Sequence, residues 1–172
     1  MSALLPFVHR GGRSGDSICL PVEPGLFEEF PKTVVWEGLT LLKKDEFHVT
    51  LLNITSLRNG AGISDETVMS FLDEFAKQHR FEPTAFLDDF RFVREGERAS
   101  VVIRCRVSNL EELFREIRRK FNIDLPLQPA HVTLYTLQRN GGIHIPSEEV
   151  MESLPPVRIP ELQKAAENIS AH

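Results

Sequence analysis

Two identical tetrapeptides carry side chains suited to chemistry: His48-Val49-Thr50-Leu51 and, 83 residues later, His131-Val132-Thr133-Leu134. An imidazole changes charge near neutral pH, so it can take a proton from one oxygen and give one to another. A hydroxyl two residues along can donate a hydrogen bond to a non-bridging phosphate oxygen. Side chains on a strand alternate faces. His48 and Thr50 then share one face, while Val49 and Leu51 turn into a core. His131 and Thr133 stand likewise against Val132 and Leu134. A single His-x-Thr on a strand is usually structural. Two copies facing each other form a clamp for a phosphodiester, with one imidazole on the attacking side and one on the leaving side. His48 and His131 are the expected catalytic pair, and Thr50 and Thr133 the expected phosphate-binding pair. The mechanism needs no metal and no other cofactor.

The flanks of the tetrapeptides repeat as well. Ile63, Glu66, Val68, Met69 and Leu72 recur as Ile145, Glu148, Val150, Met151 and Leu154, at an offset of 82. Upstream, Ile18-Cys19-Leu20-Pro21-Val22 leads into Leu26-Phe27-Glu28-Glu29-Phe30. Ile103-Arg104-Cys105-Arg106-Val107 leads into Leu110-Glu111-Glu112-Leu113-Phe114, at offsets of 85 and 84. Three segments recurring in one order at nearly one spacing point to a duplicated unit of strand, helix, histidine strand and helix. Two such units can pack about a pseudo-two-fold axis, which brings equivalent residues together at the seam.

Local signals place the elements around these strands. Ser64 caps a helix whose first turn holds Asp65 and Glu66, and Ile63 and Val68 are spaced as a hydrophobic staple. Val68, Phe71, Leu72, Phe75 and Ala76 form its apolar stripe, which predicts a helix to about His79. A second helix is expected from Ser108, with Glu111 completing a capping box and a stripe of Leu110, Leu113, Phe114, Ile117 and Phe121. Residues 85–94 and 98–107 read as a hairpin turning at Gly96, and 33–42 is also β-like. Pro126 and Pro129 keep the approach to His131 extended. Gly141-Gly142 and Pro155-Pro156 punctuate the tail.

The paired motifs, their spacing and the order of elements resemble the 2H phosphoesterase superfamily, which is named for two His-x-Thr/Ser-x motifs. It includes 2′,3′-cyclic phosphodiesterases and the enzymes called 2′-5′ RNA ligases. The likeness covers roughly residues 17–160. It implies an α+β fold of two pseudo-symmetric lobes with mainly antiparallel sheets facing across a central cleft, helices packed outside. It also implies hydrolysis or transfer of a phosphodiester, with opening of a 2′,3′-cyclic phosphate on a nucleotide or RNA end to leave a 2′-phosphate as the expected reaction. Residues 1–16 are expected as a flexible arm carrying His9, Arg10 and Arg13, residues 17–160 as one bilobal domain, and 161–172 as a short helix or frayed tail.

Three further residues are candidates for substrate contact. Tyr135 continues the alternation past Thr133 onto the same face, where the first copy has Leu52. Arg104 and Arg106 share one face of their strand. Against these stand a core tyrosine and ordinary exposed sheet arginines.

The bulk composition narrows the function classes. A net charge of −5 does not suit a DNA duplex, so the expected partner is a nucleotide or an RNA terminus. No apolar run approaches the roughly 20 residues that cross a bilayer. Two cysteines in strand-like stretches make no disulfide framework, and the chain is expected to be a cytoplasmic monomer. A metal hydrolase would need further ligands. Asp45 and Asp124 lie near the motifs, but neither copy has His-x-His or His-Glu-x-x-His spacing. The rival from another class is a module that binds nucleotides or RNA ends on the same fold without turnover.

Overall fold

The computed structural model describes residues 6–12, 15–138 and 142–170. In chain order its strands are β1 (Phe7–Gly12), β2 (Gly15–Val22), β3 (Thr33–Trp36), β4 (Leu39–Lys43), β5 (Phe47–Asn53), β6 (Pro83–Glu95), β7 (Arg98–Val107) and β8 (His131–Thr136). Its α-helices are α1 (Ile54–Ala61), α2 (Asp65–Gln78), α3 (Leu110–Phe121), α4 (Glu148–Ser153) and α5 (Pro160–Ser170). The fold is α+β, and every strand pairing among the described residues is antiparallel. No helix is long and apolar enough to cross a membrane among those residues.

The strands form one eight-stranded sheet rather than two separate ones. Its path runs β1-β2-β5-β8-β4-β3, with β7 and then β6 on the other side of β8. The two tetrapeptides lie in β5 and β8, and these strands meet at one residue pair, Val49 with Val132. Those two valines hold the same position in the two copies. A pseudo-two-fold axis therefore passes between them.

The pairings on either side of this axis repeat. Pro21 pairs His48, Leu20 pairs Val49, Cys19 pairs Thr50 and Ile18 pairs Leu52. Arg104 pairs His131, Ile103 pairs Val132, Val102 pairs Thr133 and Val101 pairs Tyr135. Every pair recurs at an offset of 83, so the upstream repeat is two residues out of the register expected from sequence. Downstream, the Ser64 side chain accepts the Thr67 N–H and the Ser147 side chain accepts the Val150 N–H. These caps set the later repeat at 83 as well, not 82. Hydrogen bonds decide register here, whereas matched letters tolerate a slip of one or two.

Both histidine strands also carry a β-bulge at the same place. One residue of β2 (Ile18 to Cys19) spans two of β5 (Leu52 to Thr50), and one residue of β7 (Val101 to Val102) spans two of β8 (Tyr135 to Thr133). Leu51 and Leu134 are the extra residues. A bulge shifts the alternation beyond it. That is why Tyr135 departs from expectation: it is fully buried in the main core, and its hydroxyl donates to the Pro31 carbonyl at 2.7 Å.

Helices cover the apolar faces. α2 starts at the expected Ser64 cap and buries Val68, Leu72 and Phe75. α3 buries Leu110, Leu113, Phe114 and Ile117. Each such fully buried side chain contributes roughly 1.5–3 kcal/mol. Ser108 is not the cap of α3. Its hydroxyl donates to the Arg80 carbonyl and accepts the Glu82 N–H, and the helix begins after Asn109, a residue at φ 62°. The helix expected near residues 26–30 shrinks to a 3-10 turn over Pro24–Phe27, where Pro24, Gly25 and Pro31 bracket a run too short for an α-helix. The β-like stretch at 33–42 is the β3–β4 hairpin, which turns at Glu37 and Gly38, both at positive φ as a tight hairpin requires.

The N-terminal end of the chain differs from expectation. Phe7 to His9 of the expected arm pair with Cys19, Ile18 and Ser17, so this part is edge strand β1, and Val8 packs on the core. Residues 1–5, 13 and 14 lie outside the described residues, as does the Arg10 side chain, so the side chains of the two arginines expected on the arm do too. Gly141 and residues 171–172 are likewise outside. Of the two expectations for the tail, a short helix or a frayed end, the helix is found, as α5. It opens with Pro160, packs on β6, and buries Leu162 and Ala166.

Candidate active site

The Val49–Val132 pair decides the geometry of the four motif side chains. Extending an antiparallel register by one residue each way sets His48 across from Thr133 and Thr50 across from His131. Cross-strand neighbours stand about 5 Å apart at Cβ where the ladder is regular. Val49 and Val132 are fully buried, so the other face carries all four polar groups. His48, Thr50, His131 and Thr133 are each half-buried there. In that register each imidazole faces a hydroxyl position of the opposite copy, and its own copy's hydroxyl stands two residues away.

His131 is oriented by its approach loop. Its Nδ1 lies 2.8 Å from the Pro129 carbonyl oxygen. A carbonyl only accepts, so Nδ1 carries a proton, and in the neutral ring Nε2 holds the lone pair. Burial lowers the pKa of His131; the Pro129 bond opposes this, and His144 and Arg104 nearby add to the lowering. Burial alone lowers that of His144.

His48 is pushed down to about 4, first by burial and then by the charges of Lys44, His9 and His131. The His9 ring on β1 stacks at 6.0 Å from the His48 ring, and Phe7 meets it edge-on at 6.3 Å. Lys44 is itself lowered, chiefly by burial, and its N–H bonds the Leu134 carbonyl at the bulge of β8. Both motif rings are therefore neutral at pH 7 in the free protein. A half-buried face with neutral bases and a lysine beside His48 suits an anion, whose charge raises the pKa of an imidazole beside it.

The other expected contacts divide. Arg104 pairs His131 in register, so it lies on the same face, but its guanidinium is engaged by Asp89 and Glu148. Asp89 also holds Arg91 at 2.7 Å. Arg106 is exposed. Tyr135 is shut in the core and does not reach this face. Cys19, fully buried beside Thr50 with sulfur 3.9 Å from its hydroxyl, has its pKa raised by burial. Cys105 is pushed up to about 12 by burial. Among the described residues no three His, Cys, Asp or Glu side chains are grouped to hold a metal ion.

Sequence reasoning missed Lys44 and His144, and placed His9 on a flexible arm rather than beside His48. Lys44 stands four residues before His48, and no spacing rule singles it out. His9 arrives through the β1–β2 pairing and His144 through the loop before α4, both matters of tertiary structure. Comparison with family models, curated proteins and solved structures finds no match for this chain.

Proposed function

We propose that this chain is a metal-independent phosphoesterase of the 2H type, opening a 2′,3′-cyclic phosphate on a nucleotide or RNA end between two pseudo-symmetric halves. One observation carries the reading: the single Val49–Val132 pair that sets two imidazoles and two hydroxyls on one face. In the reaction, one neutral imidazole takes a proton from water as the water oxygen bonds to phosphorus. The phosphorus–oxygen bond to one ribose oxygen breaks, and the second imidazole, as imidazolium, protonates that oxygen. Thr50 and Thr133 donate to the phosphoryl oxygens as charge builds on them. The anionic substrate supplies the missing condition, because its charge draws a proton onto one of the two depressed rings. Which ring is the base follows from which side the departing oxygen takes.

The net charge of −5 suits a small anionic ligand better than a DNA duplex. The two buried free cysteines suit a reducing compartment such as the cytoplasm. The test is to follow 2′,3′-cyclic nucleotides by phosphorus NMR in the presence of EDTA. The reading expects steady conversion to a monoester, with the 2′-phosphate as product. Tight binding with no conversion over hours would instead favour a nucleotide-binding module.

A further inference from the structure

Beside His131 lies a groove of about 730 Å³, within the size range of nucleotide-sized sites. A wide irregularity in β6 borders it: Phe86 pairs Cys105 and Phe90 pairs Ile103, so three residues of β6 stand opposite Arg104 alone. Leu87 from that bulge, Leu127 and Ala130 from the approach loop, and Arg104, Arg106 and Gln128 line the groove. Ala130 precedes His131 and Arg104 pairs it, so the groove neighbours His131, although none of the four motif side chains lines it.

Two of these groups are unspent. Gln128 is only 7% exposed, yet among the described residues nothing hydrogen-bonds its amide, and the amide is not sealed in hydrocarbon. Arg106 has no carboxylate partner among those residues, while Arg104 and Arg115 are both paired. The Gln128 amide is open to the groove, so a ligand can take its hydrogen bonds in place of water. An amide offers one donor edge and one acceptor edge, which matches the hydrogen-bonding edge of a nucleobase. A guanidinium fork matches a phosphoryl group.

We infer that this groove takes the nucleoside whose phosphate lies between the histidines, with Gln128 reading its base and Arg106 holding a second phosphoryl group on its 5′ side. The inference rests on the phosphoesterase reading and adds a specificity: nucleotide ends with a 5′ phosphoryl group over bare nucleosides. Leu87 and Leu127 flank the base, and the hydroxyls of the ribose face the reaction centre.

The experiment compares kcat/KM for a 2′,3′-cyclic nucleotide with and without a 5′-phosphate. The wild type should favour the 5′-phosphorylated substrate by about tenfold, the scale of one charge-assisted contact. Arg106→Gln should bring the ratio near one. Arg119→Gln, which removes an equal charge from the exposed face of α3, should keep the wild-type ratio. Gln128→Leu should flatten discrimination among the bases. A wild-type ratio of one, or a ratio untouched by Arg106→Gln, overturns the inference and leaves the phosphoesterase reading standing. If nothing turns over, that reading fails separately, and calorimetric titration of the same two nucleotides decides the groove. Tighter binding of the 5′-phosphorylated one, lost in Arg106→Gln, supports it; equal binding overturns it.

Discussion

His48 should make the protein sensitive to mild acid, and His48→Asn should relieve that sensitivity. In the unfolded chain the imidazole titrates near 6.5; folded, burial and the charges of Lys44, His9 and His131 bring it down to about 4. Between those values the unfolded state binds a proton that the folded state refuses. Stability therefore rises with pH across this window and is lost as pH falls through it. One pH unit corresponds to about 1.4 kcal/mol, so the whole window is worth on the order of 3 kcal/mol. Asparagine keeps a polar group of similar reach and does not titrate. Urea unfolding of both proteins at about pH 7.5 and about pH 4.5 measures the difference. Groups that do not act on His48, such as His144, titrate alike in both and cancel. The variant's stability relative to wild type should improve by roughly 2–3 kcal/mol on going to the lower pH. Parallel pH curves would refute the depressed His48 and with it the neutral-base state of the site.

Other outcomes follow from the same geometry. The pH profile of kcat/KM should be a bell displaced to the acid side of 6.5, because it reports the free protein and both rings are lowered; a plateau extending through neutral pH contradicts this. Its two apparent pKa values belong to the pair of rings, not to either one. Thr50→Val and Thr133→Val should each reduce kcat/KM by roughly a hundredfold, the scale of losing one donor to a developing negative charge. Leu162→Ala, at a fully buried position of α5, should cost roughly 2–4 kcal/mol in urea unfolding. No measurable loss there would mean that the C-terminal segment is frayed after all.

The four motif residues were legible because two signals agree at them. Repetition marked the tetrapeptides, and strand alternation separated His48 and Thr50 from Val49 and Leu51. Alternation then failed at Tyr135, where the bulge at Leu134 reverses it; a bulge is set by partner-strand hydrogen bonds and leaves no mark in one strand's own letters. The α2 helix was legible from Ser64, whose cap is local chemistry. The neighbouring α1 was not. Its Thr55, Ser56, Asn59 and Gly60 are weak helix formers, and it is held by the Asn53 cap on the Ser56 N–H and by buried Ile54 and Leu57. β1 was hidden for a similar reason. Phe7 to His9 become a strand only because β2 offers an edge, so their polar, glycine-rich surroundings read as a free arm. The hairpin at Glu37 and Gly38 lay inside one long β-like run, where a charged residue and a glycine gave too faint a turn signal.

The central claim is that His48 and His131 act on one phosphorus atom. The direct measurement is kcat/KM on a 2′,3′-cyclic nucleotide for the wild type, His48→Ala, His131→Ala and the double variant, with circular dichroism confirming the fold of each. Each single variant should lose roughly 10²–10⁴-fold, and the double variant should be scarcely worse than either, since the two rings work as a unit. A single variant that keeps near wild-type turnover, or losses that multiply in the double variant, would contradict the account.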